Sequence, residues 1–176
     1  MPKSKDYKIV LIGDQSVGKT SIIQQLTNNK FDKNQPPTIS VSCSRYSYFE
    51  ADQQINLNLW DTIGQEKLCQ ITQTYLRSSD IILIVVAAND FSMDRARFWL
   101  QQAENIDEKT RIILVINKID LSFSENMEQM VELFCDQNGI SKFEISALSG
   151  AGINKLIDSM KKHVQKSKKT KRIEIN

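Results

Sequence analysis

Runs of consecutive apolar residues constrain the fold of this chain more than any other feature of its sequence. A strand with one face in water alternates apolar and polar residues, whereas a strand covered on both faces is apolar at successive positions. Helix-like segments lie between the runs, so strands and helices alternate along the chain. This alternation predicts an α/β protein with a mostly parallel sheet. The runs are KIVLIG at 8–13, INLNLW at 55–60, IILIVVAA at 81–88, RIILVIN at 111–117 and KFEIS at 142–146.

One departure from the alternation predicts an antiparallel edge strand. Residues 41–50 and 55–61 both have the composition of strands, and only the polar segment ADQQ separates them, which is the pattern of a hairpin. Near the C-terminus, an apolar stripe at helical spacing ends at Val164. We therefore expect one domain over residues 1–165 and a flexible basic tail over residues 166–176.

Composition and charge argue against several classes of protein. The chain has 176 residues and is 40% hydrophobic, which is enough for one sizeable core. No apolar run approaches the ~20 residues of a membrane span and no signal segment is present, so we expect a soluble intracellular protein. The three cysteines lack the spacing of a disulfide framework or a zinc site. Residues 161–176 carry a net charge of +6 and the remainder carries −4, and a basic tail alone does not indicate a nucleic-acid partner.

The segment GDQSVGKT at residues 13–20 carries the clearest chemical signal. It fits the phosphate-binding pattern GxxxxGK[ST] and lies between the strand that ends at Ile12 and a helix-like stretch that starts at Lys19. Loops of this kind (P-loops) direct backbone N–H groups and the positive end of a helix toward phosphates. Lys19 would add a positive charge at the β and γ phosphates, and Thr20 would ligate Mg²⁺. The motif predicts a nucleotide site but does not identify the base.

The segment NKID at residues 117–120 predicts that the base is guanine. It follows a strand directly, at the sheet edge where ligands of open α/β folds bind. The Asp120 carboxylate can accept hydrogen bonds from N1–H and the 2-amino group of guanine. Adenine lacks that amino group and its N1 is an acceptor, so adenine would leave the carboxylate unpaired. A P-loop ATPase or kinase is the competing hypothesis, and Asp120 argues against it.

Five ordered segments together resemble the motifs of Ras-superfamily small GTPases. They are GDQSVGKT, Thr38 within PPTIS, WDTIGQE at 60–66, NKID, and SAL at 146–148. The resemblance covers about residues 6–165, and the run WDTIGQEKLCQITQTYLR is most similar to Rab proteins. It implies the P-loop small G-domain fold, with a six-stranded mostly parallel sheet, one antiparallel edge strand and five flanking helices. It also implies bound GTP or GDP with Mg²⁺ and a switch cycle.

The resemblance implies roles for individual residues. Thr20 and Thr38 would ligate Mg²⁺, Asp61 would act on the metal through water, and Gln65 would be the catalytic residue that orients the attacking water. Phe31 would pack against guanine, although an ordinary core Phe is the alternative. The residues that would bind the nucleotide and its metal are Gly13, Ser16, Val17, Gly18, Lys19, Thr20, Ser21, Phe31, Thr38, Asp61, Gly64, Asn117, Lys118, Asp120, Ser146, Ala147 and Leu148.

The chain departs from the family pattern near the γ-phosphate. Gln15 stands where family members carry a small residue, and Ile63, which is β-branched and stiff, stands where they carry Ala beside Gly64. We expect both side chains to crowd the phosphate and to slow hydrolysis below the ~10⁻⁴ s⁻¹ of an unassisted small GTPase, although Ile63 could instead turn toward the apolar side of the loop at no cost. A GTP-binding scaffold with little or no turnover is the alternative. The segment ISVSC at 39–43 alters the effector face, so partners of known Rab proteins cannot be transferred to this chain.

The resemblance implies a Rab-like switch that regulates intracellular vesicle traffic. Its expected partners are an exchange factor, a GTPase-activating protein and effectors, and we expect a monomer. The sequence ends without the cysteines that are prenylated in Rab proteins, and Pro2 excludes N-myristoylation. Either the chain is truncated at Asn176 or the protein lacks a lipid anchor. We expect a cytoplasmic protein. The sequence favours equally a basic tail that contacts an anionic internal membrane weakly and a tail that is fully solvated.

Overall fold

The fold is built on a single six-stranded sheet. A computed structural model describes residues 4–64, 74–104, 106–107, 109–121 and 124–173, with side chains as far as residue 166. Its strand order is β2-β3-β1-β4-β5-β6. The β2–β3 pair is antiparallel and the other pairs are parallel, which confirms the predicted sheet and its antiparallel edge. The strands are β1 (Ser4–Gly13), β2 (Ser42–Glu50), β3 (Gln53–Asp61), β4 (Ile81–Ala87), β5 (Arg111–Asn117) and β6 (Ser141–Glu144).

Five helices flank the sheet, as the family resemblance implies. One of them is α4, which begins after Ser124, whose hydroxyl accepts a hydrogen bond from the Met127 amide at 3.3 Å. It ends at Gly139, which has the left-handed φ of 62° that suits glycine at a helix end. A 3-10 turn spans Ala88–Asp90. The helices are α1 (Lys19–Asn28), α2 (described over residues 74–76), α3 (Met93–Glu104), α4 (Glu125–Asn138) and α5 (Ile153–Ile173).

The backbone of α5 remains helical to Ile173, past the end of its apolar stripe at Val164. The predicted boundary between domain and tail stays a prediction. None of the described helices combines the length and the apolar character that a transmembrane segment requires.

The core has two layers, one on each face of the sheet. In β1, Ile9 and Leu11 pack into one layer, and Val10 and Ile12 pack into the other. The first layer is covered by α1 and α5, and the second by α3 and α4. Because successive residues face opposite layers, a strand that is covered on both faces, such as β1, must be apolar at consecutive positions.

The parallel strands bring the predicted nucleotide-binding residues to one edge of the sheet. Gly13, Asp61 and Asn117 are the last residues of β1, β3 and β5. A side chain at Gly13 would place its Cβ only 2.2 Å from the carbonyl oxygen of Val85. The end of β1 therefore requires glycine, and the chain turns there into the P-loop.

Candidate nucleotide-binding site

A cavity of about 620 Å³ opens at the carboxyl edge of the sheet. Its volume suits a small-molecule ligand. Most of the predicted nucleotide-binding residues line it, although they come from separate loops. Those lining residues are Ser16, Gly18, Lys19, Thr20, Ser21, Phe31, Thr38, Gly64, Asn117, Lys118, Asp120, Ala147 and Leu148. Gln65 lies outside the described residues, so its predicted role stays a prediction.

Lys19 places a positive charge on the floor of the cavity. Its side chain is buried, and its Nζ donates hydrogen bonds to the carbonyl oxygens of Gly13 at 3.0 Å and Asp14 at 2.8 Å. Burial lowers the pKa of Lys19 to about 8, although the charges of Asp61 and Asp14 oppose this shift. The ammonium group therefore remains mostly protonated near neutral pH and can pair with a phosphate.

Asn117 ties the three loops around the cavity together. Its Nδ2 donates to the carbonyl oxygen of Val17 at 2.9 Å, and its Oδ1 accepts from the Ala147 amide at 3.0 Å. The approach to the P-loop is close, because a Cβ at Gly18 would lie 2.3 Å from Asn117 Nδ2. Asn117 therefore fixes the P-loop relative to the loops that would bind the base. Val17 does not line the cavity, and its carbonyl oxygen instead accepts the hydrogen bond from Asn117.

Asp120 is positioned by Ser146. The Ser146 hydroxyl donates a hydrogen bond to Asp120 Oδ1, while the Asp120 residue remains exposed on the cavity wall. Ser146 is buried and does not line the cavity, so it acts on the cavity only by orienting Asp120. A carboxylate held in this way presents acceptor oxygens in a fixed place, as recognition of the guanine edge requires.

An all-oxygen cluster lies beside the P-loop. The Thr20 hydroxyl donates to Asp61 Oδ2 at 2.6 Å, and the Thr20 and Thr38 hydroxyl oxygens lie 2.8 Å apart. The other Asp61 oxygen, Oδ1, is buried and has no hydrogen-bond partner within the described part of the chain. Burial raises the pKa of Asp61, while the hydrogen bond from Thr20 opposes the shift. Oxygen ligands and an unpaired buried carboxylate oxygen fit Mg²⁺, so the residues present suit the metal that the family resemblance implies.

Comparison with known proteins identifies the family. A model of the Ras family matches residues 8–166. The chain belongs to the Ras family. It is 32% identical to the Ras-related protein RabC of Dictyostelium discoideum, in an alignment that covers 97% of this chain and 89% of RabC. It is 31% identical to the Ras-related protein YPTC6 of Chlamydomonas reinhardtii, with 85% and 70% of the two chains covered. These relatives confirm the predicted Rab-like small GTPase.

Gln15 and Ile63, the two residues of this Ras-family protein that depart from the family pattern near the P-loop, both belong to the cavity wall. Gln15 is exposed and Ile63 is half-buried, and both line the cavity. Between them, Gly64 packs directly on the P-loop, because a Cβ at Gly64 would lie 2.5 Å from the Asp14 carbonyl oxygen. The bulky side chains of residues 15 and 63 therefore flank the glycine that would contact the γ-phosphate.

Apolar side chains form part of the cavity wall in this Ras-family protein. Phe31 lines it with 37% of its surface exposed, so the alternative of an ordinary core Phe is wrong. Leu148 and Leu121 line the same cavity and are also exposed. Leu121 is missing from the predicted site, although its position directly after NKID was a usable signal. The flat faces of a purine would be covered by such side chains.

Proposed function

We propose that this small GTPase is a Rab-type guanine-nucleotide switch that binds GTP or GDP with Mg²⁺, hydrolyses GTP slowly and regulates intracellular vesicle traffic. One observation carries the proposal. A buried ammonium group, an all-oxygen cluster and a fixed carboxylate, contributed by Lys19, Thr20 with Asp61, and Asp120, lie around one cavity. These three groups suit the phosphates, the metal and the guanine base of a single ligand.

The switch depends on Thr38. Thr20, Thr38 and Asp61 would hold Mg²⁺, which supplies charge neutralisation on the phosphate oxygens when it is bound. Thr38 lies in the loop between α1 and β2, and its hydroxyl is already near that of Thr20. With a γ-phosphate bound, Thr38 would be held in place and the loop would be ordered, whereas with GDP bound the loop would be free to move. Effector proteins would read the ordered state.

Intrinsic hydrolysis is proposed to be slow for two reasons. No Arg occurs between Lys30 and Thr38, so this loop supplies no arginine finger. Gln15 and Ile63 both lie on the cavity wall, where long or stiff side chains restrict the water that Gln65 would orient. The same two residues favour a second candidate function, a GTP-binding scaffold with no measurable turnover.

We expect the double variant Gln15→Gly, Ile63→Ala to hydrolyse GTP about tenfold faster than the wild type. Removal of the two bulky side chains would leave room for the attacking water beside the γ-phosphate. The measurement is a single-turnover assay on protein preloaded with GTP and supplied with Mg²⁺. Asp136→Ala, an exposed change on α4, is the control and leaves the rate unchanged.

The same assay distinguishes the two candidate functions. Addition of Gln65→Leu to the double variant should remove the gain, and an unchanged rate would show that Gln65 does not orient the water. No turnover in the wild type or in the double variant would favour the scaffold.

The proposed effector surface includes residues that depart from the Rab pattern. Ile39 is 88% exposed, and Ser40, Ser42 and Cys43 beside it are exposed as well. An exchange factor, a GTPase-activating protein and effectors would bind near this surface. Because its composition is altered, we propose partners distinct from those of other Rab proteins.

We propose a cytoplasmic protein that contacts anionic membranes weakly through its basic C-terminal segment. Each Lys or Arg near an anionic surface contributes about 1 kcal/mol, and this attraction is screened by salt. In co-sedimentation, the protein should bind phosphatidylserine vesicles at low salt and release them at high salt. Binding to neutral vesicles should be absent, and equal binding to both vesicle types would contradict the electrostatic contact.

A further inference from the structure

Asp14, which follows Gly13 in the P-loop, is held from outside the nucleotide site. Arg95 of α3 forms an ion pair with Asp14, in which Arg95 Nε donates to Asp14 Oδ2 at 3.0 Å and Arg95 Nη2 donates to Asp14 Oδ1. Trp99, one helical turn further along α3, donates from its indole Nε1 to Asp14 Oδ1 at 2.8 Å. The carboxylate therefore accepts three hydrogen bonds from a single helix.

The helix side of this contact is anchored in the core through Trp99. The Trp99 residue is 1% exposed and belongs to the core layer between the sheet and α3. The Arg95 guanidinium lies over the ring of Phe98 at 5.2 Å, and Phe98 packs edge-on against Trp99 at the same distance. Burial would raise the pKa of Asp14, but the hydrogen bonds from Arg95 and Trp99 outweigh it and hold this pKa below its usual value. The carboxylate is therefore ionised and firmly bound at neutral pH.

The loop side of this contact leads directly to the phosphate site. The backbone carbonyl of Asp14 accepts a hydrogen bond from Lys19 Nζ at 2.8 Å. The peptide between Asp14 and Gln15 is also the surface on which Gly64 packs, since a Cβ at Gly64 would lie 2.6 Å from the Gln15 nitrogen. A shift of Asp14 would therefore move both the carbonyl that binds Lys19 and the peptide against which Gly64 packs.

We propose that Arg95 and Trp99 are positioning residues of the nucleotide site, which act through the Asp14 carboxylate to hold the P-loop against its phosphates. Neither side chain lines the cavity. Release of a bound nucleotide requires the loop to move away from the phosphates, and the anchor on α3 opposes that movement. The inference rests on the proposed function, since it assumes that the cavity binds GDP.

The test is the dissociation rate of fluorescent mant-GDP from Mg²⁺-loaded protein in the presence of excess unlabelled GDP. Arg95→Gln and Asp14→Asn should each raise the rate about tenfold, because each removes charge-assisted hydrogen bonds. Trp99→Phe keeps an aromatic ring but removes the indole donor, and it should raise the rate by about threefold. Arg95→Lys retains the charge and should restore part of the wild-type rate.

Arg97 on the same helix provides the matched control. Its side chain is 49% exposed and pairs only loosely, at 3.7 Å, with the exposed Asp94. Arg97→Gln should leave the rate within twofold of the wild type. The double variant Asp14→Asn, Arg95→Gln should be no faster than either single variant, because both changes break the same contact.

Two results would overturn the inference in different ways. Variants that lower the melting temperature but release mant-GDP at the wild-type rate would limit Arg95 and Trp99 to a structural role. A wild-type protein that does not take up mant-GDP at all would reject the proposed function and the inference with it.

Discussion

Replacement of Asp120 by alanine is expected to weaken GDP binding about a thousandfold. The carboxylate lines the cavity and is oriented by the Ser146 hydroxyl. It can accept two hydrogen bonds from guanine, each worth roughly 1.5–3 kcal/mol because the acceptor is charged. Two such bonds give about 3–6 kcal/mol, and a tenfold change in affinity corresponds to about 1.4 kcal/mol. Equilibrium titration with mant-GDP measures the loss.

Asp136→Ala is the matched control for this prediction. Asp136 lies near the end of α4, is exposed and does not line the cavity. Its removal changes the net charge as Asp120→Ala does, so an equal loss of affinity would point to long-range charge instead of base recognition. Affinity of Asp120→Ala within threefold of the wild type would contradict the assignment of the base site.

Removal of Mg²⁺ is expected to accelerate GDP release about a hundredfold. A divalent cation held by Thr20, Thr38 and Asp61 would neutralise phosphate charge, and a loss of about 3 kcal/mol corresponds to a factor of ~100 in the rate. The cation would also satisfy Asp61 Oδ1, which is buried without a hydrogen-bond partner among the described residues. Stopped-flow dissociation of mant-GDP with either excess EDTA or excess MgCl₂ measures the effect.

The variant Asp61→Asn distinguishes the loss of bound Mg²⁺ from other effects of EDTA on the protein. Asparagine keeps the shape of the side chain and an oxygen acceptor, but it removes the charge that attracts the cation. This variant should release GDP rapidly in MgCl₂ and respond little to EDTA. If EDTA left the wild-type rate unchanged, the oxygen cluster of Thr20, Thr38 and Asp61 would not be a metal site.

Much of this architecture is readable from local patterns. Val10 and Leu11 are adjacent yet enter opposite core layers, and that arrangement is what a run of consecutive apolar residues predicts. The order of the strands in the sheet depends on contacts between distant segments, so no local pattern encodes it. Periodicity did not predict the helical backbone beyond Val164, because it detects a helix by an apolar stripe in the sequence, and that stripe ends at Val164.

The contact between Asp14 and α3 shows a second reason why part of the site was missed. Arg95 and Trp99 follow Asp14 by 81 and 85 residues, so no spacing rule connects them. An Arg on an amphipathic helix is ordinarily a solvated residue, and a Trp is ordinarily part of a core. Only the folded chain shows that both donate hydrogen bonds to one P-loop carboxylate.

The most direct test of the guanine-nucleotide assignment is the identity of the nucleotide that the purified protein carries. The protein is isolated in Mg²⁺ without added nucleotide and denatured, and the released ligand is separated by ion-exchange chromatography. Asp120 predicts GDP or GTP in stoichiometric amount from the wild type and little from Asp120→Ala. ATP or ADP in place of guanine nucleotide would contradict the account.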